Sequence, residues 1–331
     1  MIEAVPNRTL QRVAPNAACF VVPRVQSWSE LRAARNSQTI NWATLESREK
    51  AAIFIPSDVT PQEIRDCLHE ELAQALGPLN DLYRLSDSVF NDDNIHTVLT
   101  GFDMTILRAT YAPELRSGMT REQVAARLPA VLARINPAGN RAAIRQPAPP
   151  SRAWISAIQS ALGPGSSAGT RRRSAAEALK IAQAQGWQDN RLAFSHYISG
   201  RLIQSANPLA AFDQFIKADR AYARLPDTEL HRAYVAAQIA AYAISDGEGA
   251  IALRIVDPFI GTASRYENAA LLATLMLMRA EALDLTGRAS EAQRVRLDSL
   301  GWARYGFGPD WAVRGKMREI AQISPLQRDD G

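Results

Sequence analysis

The segment from residue 70 to residue 80 places polar side chains at a spacing that could support hydrolysis assisted by a bound metal. Glu70 and Gln74 are four residues apart, so they share a face if the segment is helical. Gly77 permits a sharp turn after the helix, and Asn80 can then return toward the same point. Glu71 would lie beside that point, where a carboxylate can take a proton from a metal-bound water. The spacing predicts three oxygen ligands, a glycine turn and a general base.

The spacing resembles the zinc-binding pattern of the metzincin metalloproteases, His-Glu-x-x-His-x-x-Gly-x-x-His-Asp. In the matching register the chain reads Glu70-Glu71-x-x-Gln74-x-x-Gly77-x-x-Asn80-Asp81. The general-base glutamate, the glycine and the final aspartate are retained, and all three ligand histidines are replaced. A register that begins at His69 fails, because Ala73 then stands where the second histidine should be.

Two later segments extend the resemblance. Ser88-Val89-Phe90-Asn91 looks like the turn that carries a methionine beneath the metal, with Phe90 in place of that methionine. Residues 99–111 look like the helix that closes a metzincin domain, in which Asp103 starts the helix and Tyr111 ends it. The resemblance therefore implies structural roles for Gly77, Asp81, Phe90, Asp103 and Tyr111.

Residues 15–120 as a whole resemble the bacterial family called domain of unknown function 2927. The likeness depends on Cys19, Trp28, Cys67 and the run from Glu70 to Asp81. Members are mostly exported proteins of alphaproteobacteria, so the resemblance implies a periplasmic or secreted location and a disulfide between Cys19 and Cys67. Cysteine usage alone leaves a second alternative open, namely two buried thiols in a cytoplasmic protein.

The N-terminal residues have neither the basic region nor the apolar region of a signal peptide. A metzincin-like domain normally begins with several more strands and a long helix, whereas only about 60 residues precede the helix predicted to carry Glu70. The resemblance therefore implies that the chain lacks its original start. Such a loss would also account for the missing signal peptide.

The replaced ligand positions leave three alternatives for the site. Glu70, Gln74 and Asn80 offer one carboxylate and two amide oxygens, which suit calcium, magnesium or manganese better than zinc. The three residues could instead form a hydrogen-bond cluster that preserves the turn, or line a cleft that needs no metal. We expect no cofactor, with a divalent metal as the alternative.

Other candidate residues favour structural interpretations. His69 precedes the matching register and faces another side of the helix, which predicts a packing or surface histidine. His96 follows Asn91-Asp92-Asp93-Asn94, which lacks the spacing of a calcium loop and is predicted to be solvated. The chain has no glycine-rich phosphate loop and no Gly-x-Ser-x-Gly motif, which disfavours nucleotide chemistry and serine hydrolysis.

The elements around these residues indicate an α+β region. Apolar runs ended by proline predict strands at 18–22 and 51–55. Thr60-Pro61-Gln62-Glu63 combines an N-cap, a proline at the first helical position and a capping-box glutamate, so a helix should begin there and stop at Gly77. Further helices are predicted from Asp103 to Tyr111 and from Thr120 to about Arg134.

The second half of the chain is helical in pattern. Hairpins at 193–225, 231–260 and 269–303 start 38 residues apart, which is a solenoid period. The unit from Leu272 to Ala292 resembles the tetratricopeptide repeat. Such repeats hold peptides or partner helices in a concave groove, and their aromatic side chains are expected to pack between helices. Before them, prolines and a Gly/Ser stretch indicate a linker with one helix at 154–162.

The charge pattern gives little sign of nucleic-acid binding. The net charge is +4, and the densest basic run, Arg171–Arg173, adjoins the Gly/Ser stretch and is predicted to be a solvated linker. The longest apolar run, Ala269 to Met278, is too short to span a membrane. We therefore expect neither nucleic-acid binding nor a transmembrane segment.

The sequence predicts four regions and one leading function. They are an α+β zincin-like domain at 1–136, a linker region at 137–170, a tetratricopeptide-like solenoid at 171–312 and a tail at 313–331. The leading function is an exported, non-catalytic binding or assembly module that takes a protein or peptide partner on its repeats. The alternatives are a metal-dependent peptidase or amidase with Glu71 as base, and a cytoplasmic regulator.

Overall fold

The computed structural model describes residues 1–15, 17–141, 148–149 and 151–327. By their internal contacts the residues form two compact units. The N-terminal unit comprises Met1–Val59 and Ile64–Gln146, and the helical unit comprises Thr60–Glu63 and Pro147–Gly331. Residues 142–147 and Pro150 of the predicted linker, and residues 328–331 of the predicted tail, lie outside the described residues.

A three-stranded sheet forms part of the N-terminal unit. Its strands are β1 (Ile2–Val5), β2 (Phe20–Pro23) and β3 (Ala51–Pro56), in the order β1-β3-β2. β3 is central, parallel to β1 and antiparallel to β2, and Ile53 stands opposite Ile2. The predicted strands correspond to β2 and β3. The sequence does not indicate β1, because only the last of its four residues is buried and the strand has no apolar run.

Both faces of β3 are covered by apolar side chains. The first helices of the chain are α1 (Asn7–Leu10), α2 (Trp28–Ala34) and α3 (Pro61–Leu76). Ala52 and Phe54 pack with residues of α1 and α2 on one face. Ile53 and Ile55 pack with residues of α3 on the other face. Successive side chains of a strand point to opposite faces, so the continuous apolar run of β3 serves two layers at once.

Two capped helices complete the N-terminal unit, α4 (Gly101–Thr110) and α5 (Arg121–Ile135). α5 begins with the predicted capping box at Thr120. α4 begins two residues before the predicted start at Asp103, because Thr100 is its N-cap and Asp103 is the third helical residue. The side chain of Thr100 accepts from the Asp103 N–H, and the Asp103 carboxylate accepts from the Thr100 N–H. Asp103 thus closes a capping box.

The helical unit consists of helices that pack on their sequence neighbours. They are α6 (Arg152–Leu162), α7 (Ala168–Ala184), α8 (Asn190–Ile203), α9 (Pro208–Tyr222), α10 (Glu229–Ser245), α11 (Gly249–Arg265), α12 (Ala269–Leu285), α13 (Ala289–Phe307) and α14 (Asp310–Ala321). α10 also contacts α12, and α12 contacts α14. The three predicted hairpins correspond to α8–α9, α10–α11 and α12–α13. This order of contacts is consistent with a helical solenoid.

The helices extend beyond the predicted limits of the repeats. α6 and the start of α7 occupy the predicted linker, and α14 occupies much of the predicted tail. α6 is held by Trp154, whose indole N–H donates to Ser195 on α8 and whose ring meets Trp187 edge-on. α14 buries Val313 and Ile320. The helix predicted at 154–162 corresponds to α6. α14 was not predicted, because only two of its apolar residues, Val313 and Ile320, are buried.

The run Arg171–Arg173 also differs from its prediction as a solvated linker, because it lies within α7. The Arg171 guanidinium donates to the carbonyls of Ala161 and Leu162, the last residues of α6. Carbonyls at a helix C-terminus have no partner within the helix. Arg171 therefore caps one helix from the next.

Aromatic side chains pack between the helices, as expected. The rings of Tyr197 and Phe215 lie 6.2 Å apart between α8 and α9, and those of Phe212 and Tyr242 lie 5.1 Å apart between α9 and α10. A Cβ atom at Gly200 would lie 2.7 Å from the ring of Phe215. Gly200 therefore lets the α8 backbone approach the α9 aromatic residue closely.

Candidate functional site

Helix α3, which carries the metzincin-like spacing, is capped at both ends. At its start, Thr60 accepts from the Glu63 N–H and Glu63 accepts from the Thr60 N–H. At its end, the Arg48 guanidinium donates to the carbonyls of Gln74, Ala75 and Gly77 at 3.0, 2.7 and 3.2 Å. The sequence signals the first cap through its Thr-Pro-x-Glu pattern. It does not signal Arg48, which is distant in sequence.

Gly77 is constrained by packing more than by its backbone conformation. It does not adopt a positive φ angle. A Cβ atom there would lie 2.7 Å from Cδ2 of Leu107 on α4. The helix ends at Leu76 and the chain bends at Gly77, as predicted. The glycine also lets α4 approach the end of α3.

Gln74 and Asp81 form the centre of the candidate site. The buried amide of Gln74 donates to both carboxylate oxygens of Asp81 at 3.1 Å. Asn80, which the spacing predicts as the third ligand, is exposed. Gln74 therefore contacts Asp81, the last residue of the metzincin-like spacing, and not Asn80, which stands where that pattern has its third histidine.

Glu71, the predicted general base, is 3% exposed. Its Oε2 atom has no hydrogen-bond partner among the described residues. The pKa of Glu71 is raised to about 8, mainly by burial and also by nearby Glu70 and Asp81, while a hydrogen bond from the Val21 backbone opposes the rise. A carboxyl group with this pKa holds its proton at neutral pH, which suits a proton donor better than a base.

The pKa values of the neighbouring acids Glu70 and Asp81 are also raised. Burial raises the pKa of Glu70 to about 7, with contributions from Asp81 and Asp92. Burial and Asp92 raise the pKa of Asp81 to about 6, while the hydrogen bond from Gln74 opposes the rise. We call Glu70, Glu71, Gln74 and Asp81 the carboxyl cluster. At neutral pH this cluster carries fewer charges than its residue types suggest.

The predicted metal ligands do not reproduce a zinc donor set. Gln74 uses its amide nitrogen on Asp81, Asn80 is exposed, and Glu70 is half-buried beside other acids. Within the described ranges, no three His, Cys, Asp or Glu side chains are placed to hold a metal ion. The expectation that no cofactor is needed, and the alternative of a divalent metal, both stay predictions.

The turn at residues 88–91 lies beneath α3 and is fixed by Asp103. Phe90 is buried and packs with Ala73 of α3. The Asp103 carboxylate accepts from the Ser88 hydroxyl and from the Val89 N–H. One buried aspartate thus organises both the turn and the start of α4. Tyr111, the C-cap of α4, is 64% exposed and takes no part in this core.

The acidic loop after this turn is not the solvated loop that we predicted. Asn91 and Asp93 are buried, and they bind the loop's own backbone. The Asn91 amide donates to the Leu85 carbonyl, and Asp93 accepts from the Ile95 N–H. His96 is buried rather than solvent-facing. These short-range side-chain bonds explain why polar residues are buried in this loop.

His69 lies in α3 and accepts from the Leu99 N–H at 3.4 Å. This contact joins α3 to the segment before α4, so His69 has the packing role that was one of its predicted alternatives. His69 is not part of the carboxyl cluster.

Cys19 and Cys67 form a disulfide bond in the structure. Their Cα atoms are 5.9 Å apart, and 48 residues separate them in sequence. The bond joins the start of β2 to α3, four residues before Glu71. It therefore anchors the helix that carries the carboxyl cluster to the sheet.

A groove in the helical unit is the second candidate site. It has a volume of about 370 Å³ and is lined mainly by the alternate helices α8, α10, α12 and α14, with Phe307 at the end of α13. Its polar and apolar lining includes Arg201, Gln204, Tyr234, Gln238, Thr274 and Met278. We call it the inner groove. The sequence predicted a concave groove from the repeat period, but not these residues.

Comparison with known proteins identifies one part of the chain. Residues 1–130 match the family Protein of unknown function (DUF2927). This match confirms the resemblance to domain of unknown function 2927. The matched residues make up most of the N-terminal unit. No curated protein and no solved structure matches the chain. Among the described helices, none has both the length and the apolar character that a membrane crossing needs.

Proposed function

We propose that the protein is a non-catalytic binding or assembly factor whose helical unit takes an extended peptide segment of a partner protein in the inner groove. The observation that supports this most is the lining of the groove, which mixes apolar side chains with polar groups on alternate helices. Tetratricopeptide-like repeats present such a surface on their inner helices. The likeness to these repeats is part of the proposal.

The polar groups of the inner groove suit an extended backbone. Gln204 and Gln238 each offer an amide donor and an amide acceptor, as a peptide bond requires. Ala237 and Ala241 leave room between them on α10. Arg201 is exposed and can pair with an acidic side chain of the bound segment. The predicted specificity is an extended segment with one acidic residue.

Selection from a random peptide library against the full-length chain tests this proposal. Peptides obtained in this way should lose at least about tenfold in affinity, or about 1.4 kcal/mol, for the variant Ala241→Arg, which fills the groove. They should keep their affinity for Leu209→Arg, because Leu209 is exposed on α9 and does not line the groove. Peptides that bind both variants equally well would place recognition elsewhere.

For the N-terminal unit we propose a degenerate metzincin-like domain without catalytic activity. The raised pKa of Glu71 supports this, because a group protonated at neutral pH is a poor general base. The alternative proposal is a metal-dependent peptidase or amidase in which Glu71 is ionised. Stoichiometric metal after native purification, together with hydrolysis that Glu71→Gln abolishes, would favour the alternative.

We also propose a periplasmic or secreted location. The support is the disulfide between Cys19 and Cys67, since such bonds persist in oxidising compartments. Thiol titration of the denatured, unreduced protein from its native host should find no free thiol. Two free thiols would favour the cytoplasmic alternative, in which the repeats belong to a regulator.

A further inference from the structure

A second pocket in the helical unit has a chemistry different from that of the inner groove. It has a volume of about 200 Å³ and is lined by Gln188, Leu192, His196, Lys217, Arg220, Ala221 and Arg224. Four of these seven side chains are basic or can become so. We call it the α8–α9 pocket, since His196 lies on α8 and Lys217 and Arg220 lie on α9.

The three permanent cations are arranged along one side of α9 and the residues that follow it. Lys217, Arg220 and Arg224 are separated by three and four residues, which is the spacing of neighbours on a helix face. All three are exposed. Such a row of like charges raises the local potential toward an anion.

Nearby acids leave much of this charge uncompensated. Asp213 pairs with Lys217 at 2.6 Å. Asp219, next to Arg220, pairs instead with Arg232 at 2.8 Å. Arg220 and Arg224 make no ion pair with any residue of the described ranges. Two arginine forks are therefore free for a ligand.

His196 supplies a ring nitrogen within the pocket. The residue is 8% exposed, and its Nδ1 lies 2.7 Å from Oε1 of Gln214. Because that oxygen is an acceptor, Nδ1 carries the hydrogen, and Nε2 is left for a ligand. A buried imidazole beside two free arginines indicates a built site rather than a solvated charged face.

We propose that the α8–α9 pocket binds a small dianionic oxyanion, a phosphoryl-type group, between the guanidinium groups of Arg220 and Arg224 and the imidazole of His196. Arginine matches phosphate oxygens with two parallel N–H donors, which a single lysine cannot do. The volume suits a phosphate ester of a few carbon atoms. This site lies outside the inner groove and does not depend on the proposed peptide binding.

Proton uptake should accompany binding. Burial lowers the pKa of His196, the hydrogen bond to Gln214 and the charge of Asp213 raise it, and Lys217 lowers it. The free pocket therefore holds a neutral imidazole near pH 7. A bound dianion favours the imidazolium, in which Nε2 becomes a donor. Binding should tighten as the pH falls through the pKa of His196.

Calorimetric titration of the full-length chain with inorganic phosphate, glycerol 3-phosphate and sulfate tests the proposal. Arg220→Gln combined with Arg224→Gln should lose at least about tenfold in affinity for each probe, since both guanidinium groups would lose their charge-assisted hydrogen bonds to the anion. Arg254→Gln is the matched control, because Arg254 is an exposed arginine on α11 outside the pocket. Its affinity should change less than about twofold.

Titration with sulfate distinguishes the contribution of His196 to binding from that of the arginines, because sulfate stays dianionic between about pH 5.5 and 8. The wild type should bind sulfate at least about threefold more tightly at the lower pH, and His196→Gln should remove that difference. Vesicles of phosphatidylglycerol form a third arm. Binding to vesicles without binding to any soluble oxyanion would overturn the proposal, as would equal losses for the double variant and for Arg254→Gln.

Discussion

The two units neutralise their buried charged groups in different ways. In the helical unit, Arg191 is almost fully buried, pairs with Asp189 at 2.6 Å and stacks on the ring of Trp187. In the N-terminal unit, the carboxyl cluster faces other acids, and its groups have raised pKa values. The nearby arginines are used elsewhere, Arg48 on backbone carbonyls and Arg65 on Asp66.

Buried charges of the helical unit are thus neutralised by side-chain partners, whereas those of the carboxyl cluster are neutralised by bound protons. An ion pair keeps its charges between about pH 5 and 9, whereas a carboxyl group with a raised pKa loses its proton within that range. We therefore expect the pH dependence of stability to be concentrated in the N-terminal unit. Four variants can break or sharpen this comparison.

The largest expected effect comes from removing the disulfide. Cys19→Ala combined with Cys67→Ala opens a loop of 48 residues, which should cost the N-terminal unit about 4 kcal/mol by the chain-entropy relation. Hydrogen exchange read by mass spectrometry should show faster exchange in β2, β3 and α3. Helices α8 to α13 serve as the internal control. Equal acceleration in both units would contradict an effect confined to the N-terminal unit.

A second variant tests whether the helical unit depends on its ion pairs. Arg296 pairs with Glu281 at 2.7 Å and with Asp284 at 2.5 Å. Arg296→Met leaves a buried Glu281 without its partner, so unfolding free energy should fall by about 3 kcal/mol near pH 8. The loss should shrink at pH 5, where the orphaned carboxyl group can take a proton.

The matched control for this variant is Arg288→Met, which breaks an exposed pair with Glu291 and should leave stability unchanged. Urea unfolding at both pH values provides the measurement. A loss of stability that does not vary with pH would show that Arg296 acts through packing alone.

The third variant, Glu71→Gln, removes the proton linkage in the N-terminal unit. The pKa of Glu71 rises from 4.5 to about 8 on folding. Below pH 4.5 the carboxyl group is therefore protonated in both the folded and the unfolded protein, and it does not lower the stability. Between these values the unfolded state ionises first, and stability falls as the pH rises. The glutamine should therefore stabilise the unit by on the order of 2 kcal/mol at pH 6, by more at pH 8, and change little at pH 4.

Denaturant unfolding of Glu71→Gln across this pH range gives the comparison, with Glu229→Gln as the control at an exposed position of α10. A stability gain that is the same at pH 4 and pH 8 would mean that packing, not proton linkage, accounts for the change.

The smallest effect is expected for Phe90→Met, which introduces the residue that metzincins carry at the position Phe90 resembles. Phe90 packs against Ala73 and Val89, and methionine is flexible enough to fill most of the same space. The cost should be about 1 kcal/mol. A cost of several kcal/mol in thermal unfolding would show that this turn needs an aromatic ring.

Local signals in the sequence predicted much of the fold. The Thr60 and Thr120 caps, the proline-ended strands and the three hairpins all depend on residues near one another in sequence. β1 escaped prediction because an edge strand with one buried residue has no apolar pattern. α14 was not predicted because its two buried residues, Val313 and Ile320, are too few to form a recognisable helical pattern.

The candidate site was less predictable because its contacts are made over longer distances. The spacing led to Asn80 as the partner of Gln74, yet the chain turns so that Asp81 meets it. Arg48 and Arg171 cap helices from other parts of their units, and nothing in their local sequence indicates it. The raised pKa values depend on burial, which a sequence does not display residue by residue.

The position of β3 also affects how quickly each unit can form. β3 pairs with β1 about 50 residues earlier and with β2 about 30 residues earlier, whereas α6 to α14 pack on their immediate neighbours. Contacts between distant residues slow folding because the intervening loop must close first. The helices can assemble one after another as the chain leaves the ribosome. The sheet must wait until β3 has emerged, so β1 stays unpaired for longest during synthesis.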